Sequence, residues 1–176
     1  MNPRTVLPAT ILSLVVSLSV FLTLPIVDKA YAQSRIYEAP LAGQNEVPPV
    51  QSNATGLAVF TTPFNDTVNY RVNITGISNP TGAHIHVAQS GQNGHIVAYL
   101  FHTPTSKENQ SPTGIIFSGN FSNSSLKGPM QGKTLGDLAA AMDSGEIYVN
   151  VHTTEHPHGE IRGQIINTEK PAGSTN

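Results

Sequence analysis

The stretch Gly145-Glu-Ile-Tyr-Val-Asn-Val-His-Thr-Thr-Glu-His-Pro-His-Gly-Glu-Ile-Arg-Gly-Gln-Ile165 decides how the chain folds. Its two halves, Glu146 to His152 and Gly159 to Ile166, are rich in β-branched and apolar residues, and Pro157 and Gly159 set a bend between them. The pattern predicts two strands joined by a tight loop. In an extended strand alternate side chains share a face. Tyr148, Asn150 and His152 therefore stand on one side and Ile147, Val149 and Val151 on the other, while Glu160, Arg162 and Gln164 oppose Ile161 and Ile165. Each strand offers an apolar face to a core and a face of hydrogen-bonding groups.

Upstream, Gly82-Ala-His-Ile-His86 repeats the arrangement, with His84 and His86 projecting together at about 6.5–7 Å between Cβ atoms. Further short apolar runs are Arg35 to Leu41, Gly56 to Thr62, Thr67 to Thr75, Ile96 to Phe101 and Gly114 to Ser122, separated by Gly, Pro, Asn and Ser clusters. Gly43 to Val50 carries paired prolines and is expected as an extended edge or loop. A hairpin is expected around Pro63 to Asp66, with Leu57, Val59 and Thr61 facing inward beside Val68, Tyr70, Val72 and Ile74. One helix stands out. Thr134 can cap it, Asp137 can answer the cap, and Leu135, Leu138, Ala139 and Met142 recur at helical spacing before Gly145. The expected fold is an all-β, antiparallel, Greek-key (immunoglobulin-like) sandwich with one short helix, spanning residues 33–166 and followed by a solvated, disordered tail at 167–176.

Composition narrows the function. The chain has 176 residues and no cysteine, so packing and sheet hydrogen bonds must hold it together without disulfides or thiolate ligands. With 11% charged residues and a net charge of -2, nothing draws it to nucleic acid or to an anionic membrane surface. Arg4 precedes an apolar run from Val6 to Val27, and Ala30-Tyr-Ala32 has the small-x-small pattern of a cleavage site. Residues 1–32 are thus expected to be a signal peptide cut before Gln33, or an uncleaved membrane anchor, which places the rest of the chain outside the cytoplasm as a secreted or surface protein. Six Asn-x-Ser/Thr sequons, at Asn53, Asn65, Asn73, Asn109, Asn120 and Asn123, fit a glycoprotein.

If the three polar strand faces are neighbours, His84, His86 and His152 converge, with Glu160 and Arg162 close by. Imidazoles without thiolates or a carboxylate cluster point to copper or zinc, with His95 as the candidate fourth ligand and His156 or His158 as alternatives. The plainer reading is a half-buried face in which each ring donates to a carbonyl and Glu160 pairs with Arg162. His102, beside Thr103-Pro104, reads as a loop residue.

Leu41-Ala-Gly-Gln-Asn-Glu-Val-Pro-Pro-Val50, Gly82-Ala-His-Ile-His86, Tyr148-Val-Asn-Val-His-Thr153 and His156-Pro-His-Gly-Glu-Ile-Arg-Gly-Gln164 together resemble the CHRD domain, the module of chordin and of many exported bacterial and archaeal proteins, over about Ile36 to Ile165. The resemblance implies an extracellular immunoglobulin-like sandwich of undefined activity; without chordin's cysteine-rich modules, growth-factor antagonism does not carry over. A fainter likeness to copper/zinc superoxide dismutase matches His84, His86 and His152 to copper ligands in pattern, but the disulfide, the zinc loop and the active-site arginine are missing, and a shared fold does not bring its chemistry.

The function expected first is a non-catalytic exported module that binds an extracellular or surface protein or glycan, or contributes to the cell envelope. A copper- or zinc-binding protein is the second reading. An enzyme of the dismutase kind is the third.

Overall fold

Strand pairing runs in one antiparallel path through residues 34–62, 67–102, 109–111 and 114–169, the part of the chain that the computed structural model describes. The expected signal peptide or anchor, the tip of the hairpin at 63–66 and residues 170–176 lie outside the described residues. The strands are β1 Ile36–Ala42, β2 Thr55–Thr61, β3 Thr67–Thr75, β4 Pro80–Val87, β5 His95–His102, β6 Asn109–Ser111, β7 Gly114–Ser122, β8 Ile147–Thr153, β9 Ile161–Gln164 and β10 Ile166–Asn167. Their order is β5-β4-β8-β9-β1-β2-β3-β7-β6, with β10 beside β1.

The path curls on itself, which hides its inner face from water and shortens the exposed edges. Phe101 on β5 stacks on Phe117 of β7 with ring centroids 3.7 Å apart. The Tyr70 hydroxyl donates to the Leu100 carbonyl, and the Lys127 amide donates to the Val97 carbonyl at 2.9 Å. The result is a nearly closed antiparallel barrel, mostly β, lined by Tyr37, Ala39, Phe60, Val72, Ile85, Val149, Val151 and Ile161.

One expected register is inverted. On β2 the inward residues are Ala58 and Phe60, while Leu57 is 38% exposed and Val59 and Thr61 are half-buried. Residues 57 to 60 are all apolar, so alternation within β2 does not choose a face; its neighbours do. Ala58 pairs with Ala39 and Val72, and Phe60 with Tyr37 and Tyr70. On β3 the inward set holds, with Val68, Val72 and Ile74 buried and Tyr70 half-buried.

Helix α1, Leu135–Asp143, opens with the expected capping box: the Thr134 amide donates to Asp137 Oδ2 at 2.8 Å and the Asp137 amide to Thr134 Oγ1 at 3.1 Å. Two of the amides that begin a helix thereby find side-chain partners. Leu135, Leu138, Ala141 and Met142 are buried, and Gly145, at φ 71°, ends the element in the left-handed region open to glycine. Asp143, at the helix C-terminus, accepts from Arg35 Nη1 at 2.6 Å, Tyr37 and Asn167, pinning the helix to β1 and β10. The start of the stretch expected as a solvated tail is therefore docked: Asn167 pairs with Tyr37, and the Thr168 amide donates to the Ile36 carbonyl at 3.1 Å.

Candidate metal centre

β4 lies between β5 and β8, so its side chains meet neighbours from both. Gly82 pairs with His152, His84 with Asn150 and His86 with Tyr148. Paired residues in antiparallel strands share a face. The register thus sets His84, His86 and His152 side by side, and their ligand nitrogens all lie within 4.8 Å of one another. His84 Nδ1 is 3.0 Å from His152 Nε2, with ring centroids 4.6 Å apart. The expectation that the three polar faces adjoin holds, because β9 in turn pairs with β8.

Backbone carbonyls orient two of the rings. His86 Nδ1 donates to the Gly94 carbonyl at 2.9 Å and His152 Nδ1 to the Pro157 carbonyl at 3.0 Å. A carbonyl can only accept, so each Nδ1 carries the proton and each Nε2 presents its lone pair. Nε2 of His86 is buried with no hydrogen-bond partner among the described residues, and so is Nε2 of His84. Burial holds all three rings neutral. It lowers His84 to about 3, helped by His152, His86 and His102, and lowers His86 and His152 against the pull of their carbonyl partners.

These residues fit a divalent transition metal. Two nitrogens on one ion at about 2.0–2.1 Å lie roughly 3.3–3.4 Å apart in tetrahedral geometry, so closure needs ring movements on the order of 1 Å. Neutral imidazoles, Nδ1–H groups fixed on carbonyls and a lone pair buried without a donor are what a histidine-ligated metal requires.

The other expected residues fall elsewhere. His95 opens β5 opposite Val87, is exposed, and is not brought to the group. His156 and His158 sit in the loop after β8, where the His156 carbonyl accepts from the Thr153 and Gly159 amides. The loop acts on the site through the Pro157 carbonyl. Glu160 and Arg162 do not pair. Glu160 lies on the other side of the sheet, accepting from Ser52 Oγ at 2.7 Å and Thr153 Oγ1 at 2.8 Å, because the chain bends before β9 begins at Ile161. Arg162, 2% exposed, lies 3.4 Å from the Tyr148 ring centroid and donates to Asn93 Oδ1 at 3.1 Å and the Gln92 carbonyl at 2.7 Å. Tyr148 stacks on His86, its hydroxyl accepts from the Gly94 amide at 3.2 Å, and so the turn at 88–94 is clamped over the histidine face.

Three contributors escaped sequence reasoning. Glu46, from the proline-containing loop, is buried between Gly159 and Asn150. Burial lifts its carboxyl to about 7, opposed by Arg162 and by hydrogen bonds from Asn150 and Val47. Asn150 stands beside it and pairs with His84 in the strand register. His102 lies on β5 opposite Gly82 rather than in a loop, where its proximity helps to lower His84. The period-two pattern extended one residue past Phe101 is the signal that could have found it.

The fold and site define an all-β domain with a partly buried cluster of neutral imidazoles on one sheet face. The chain belongs to the CHRD domain family, whose family model matches residues 37–165. No curated protein matches the chain.

Proposed function

We propose that this protein is an exported, non-catalytic CHRD module that binds one copper(II) or zinc ion through His84, His86 and His152. The observation that carries the metal reading is the convergence of three ligand nitrogens within 4.8 Å, from two strands, on rings that burial keeps neutral. Export rests on the apolar run and cleavage-site pattern of residues 1–32, and an N-terminal sequence starting at Gln33 would support cleavage. A Greek-key, immunoglobulin-like wrapping suits the strand order, since the β3–β4 and β7–β8 connections join strands that are not neighbours. A surface role as a glycoprotein is supported by Asn73 and Asn120, exposed on β3 and β7.

A dismutase-like activity is not part of the reading. Arg162 is buried in the clamp on the 88–94 turn, where it cannot guide an anion to the histidines. Titrating the full chain with Cu(II) and Zn(II) tests the proposal. One-to-one binding lost in His84→Ala and His152→Ala supports it, and a native chain that binds neither ion stoichiometrically overturns it.

A further inference from the structure

His84 is the odd member of the cluster. Its two companions turn Nδ1 to a backbone carbonyl and leave Nε2 for an ion, whereas His84 turns Nδ1 towards His152 Nε2. Its own Nε2 is buried and without a hydrogen-bond partner among the described residues. If Nδ1 binds a metal as neutral imidazole, Nε2 must carry the proton, and a buried N–H needs an acceptor.

His102 stands towards that end of the ring. β5 and β8 flank β4 so that His102 and His152 both pair with Gly82, one from each side. Glycine leaves an opening there. A Cβ built on Gly82 would lie 3.3 Å from His84 Nε2 and 3.5 Å from His102 Nδ1, so both nitrogens border the gap where a side chain would stand.

We propose that His102 is the positioning residue that takes up the Nε2 proton of His84 across Gly82 and so holds His84 Nδ1 on the metal shared with His86 and His152. The three ligands then follow one rule, in which each ring has a fixed acceptor on the nitrogen remote from the ion. Gly82 is the condition for it: a Cβ there would stand in contact with both nitrogens and fill the space between the two rings.

The inference rests on the metal reading above, and its test separates the two. Affinities of the full chain for Zn(II) and Cu(II) are measured by chelator competition in the native protein and in His102→Leu, His102→Gln, Gly82→Ala and His95→Leu. His102→Leu is expected to weaken binding about 10–100-fold at unchanged stoichiometry, the loss typical of an outer-shell partner. His102→Gln, which keeps an acceptor, recovers most of it; Gly82→Ala weakens binding in the same direction; His95→Leu changes nothing. Equal affinities in the native protein and His102→Leu overturn the inference, as does an equal loss in His102→Leu and His102→Gln. Should His102→Leu fail to fold, Gly82→Ala and His102→Gln decide between the same outcomes. A native chain that binds neither ion overturns the metal reading; the ring-nitrogen NMR signals of His84 in the metal-free protein then decide. They are expected to move in His102→Leu and not in His95→Leu, and no movement overturns the contact.

Discussion

His84 Nδ1 and His152 Nε2 lie 3.0 Å apart although 68 positions separate them in the chain. Strand register alone joins them, since the pairing of Gly82 with His152 and of His84 with Asn150 makes the two histidines diagonal neighbours on one face. Removing any of His84, His86 or His152 as alanine is expected to reduce Zn(II) and Cu(II) affinity by more than the about 10–100-fold typical of outer-shell changes. Calorimetric titration of the three variants checks it, and near-native affinity in any of them excludes that residue as a ligand.

Acid should destabilise the metal-free protein through its histidines. His84 is held at about 3 in the fold against an ordinary value of 6.5, so between those values the unfolded chain takes up a proton that the folded one refuses. The stability this ring contributes is complete above pH 6.5 and is lost as pH falls towards 3. Glu46 runs the other way. Its carboxyl is raised from 4.5 to about 7, so its contribution is complete below pH 4.5 and is lost as pH rises through about 7. Between pH 4.5 and 6.5 the two groups oppose each other, so the acid decline of the urea midpoint in the metal-free protein is expected to be steeper in Glu46→Gln than in the native chain, while above about pH 7 neither group adds a slope. An acid decline of equal steepness in both chains would remove Glu46 as the opposing group.

The face chosen by β2 is open to a direct comparison. Phe60 is fully buried against Tyr37 and Tyr70, so Phe60→Ala is expected to cost about 3–5 kcal/mol. Leu57 lies outward, and Leu57→Ala is expected to change stability by about 0.5 kcal/mol or less. Equilibrium urea unfolding of both variants gives the ranking, which would be reversed if Leu57 were the inward residue.

Arg162 binds the 88–94 turn with a planar fork and lies flat on Tyr148, a role lysine does not reproduce. Arg162→Lys is expected to lose about 1.5–3 kcal/mol, the range for hydrogen bonds from a charged group. The Gly94 amide, held by Tyr148, should then exchange faster with solvent, and hydrogen exchange at Gly94 measures it.

Much of the site was legible because period two carries it. His84 and His86, two residues apart in a strand, must share a face, and His152 must share one with Asn150 and Tyr148. The capping box of α1 was equally local, as Thr134 and Asp137 need only the helix itself to meet. Where the pattern was broken or silent, reading stopped. Four consecutive apolar residues at 57–60 carry no alternation, and Thr103-Pro104 made His102 look like part of a loop although β5 extends through it. Glu160 escaped because a bend before Ile161 cancels the parity that would have set it beside Arg162.

By itself, the sequence determined the all-β class, the short helix α1, the family and the three imidazoles, because each follows from spacing within a few residues. Only the tertiary structure decided that β8 lies beside β4, that β2 turns Phe60 inward, that Glu46 is buried against Asn150, and that His102 and His152 meet on either side of Gly82. Those outcomes depend on which strands pair and in what register. That choice belongs to the burial of the whole apolar face at once, which no local stretch of the chain encodes.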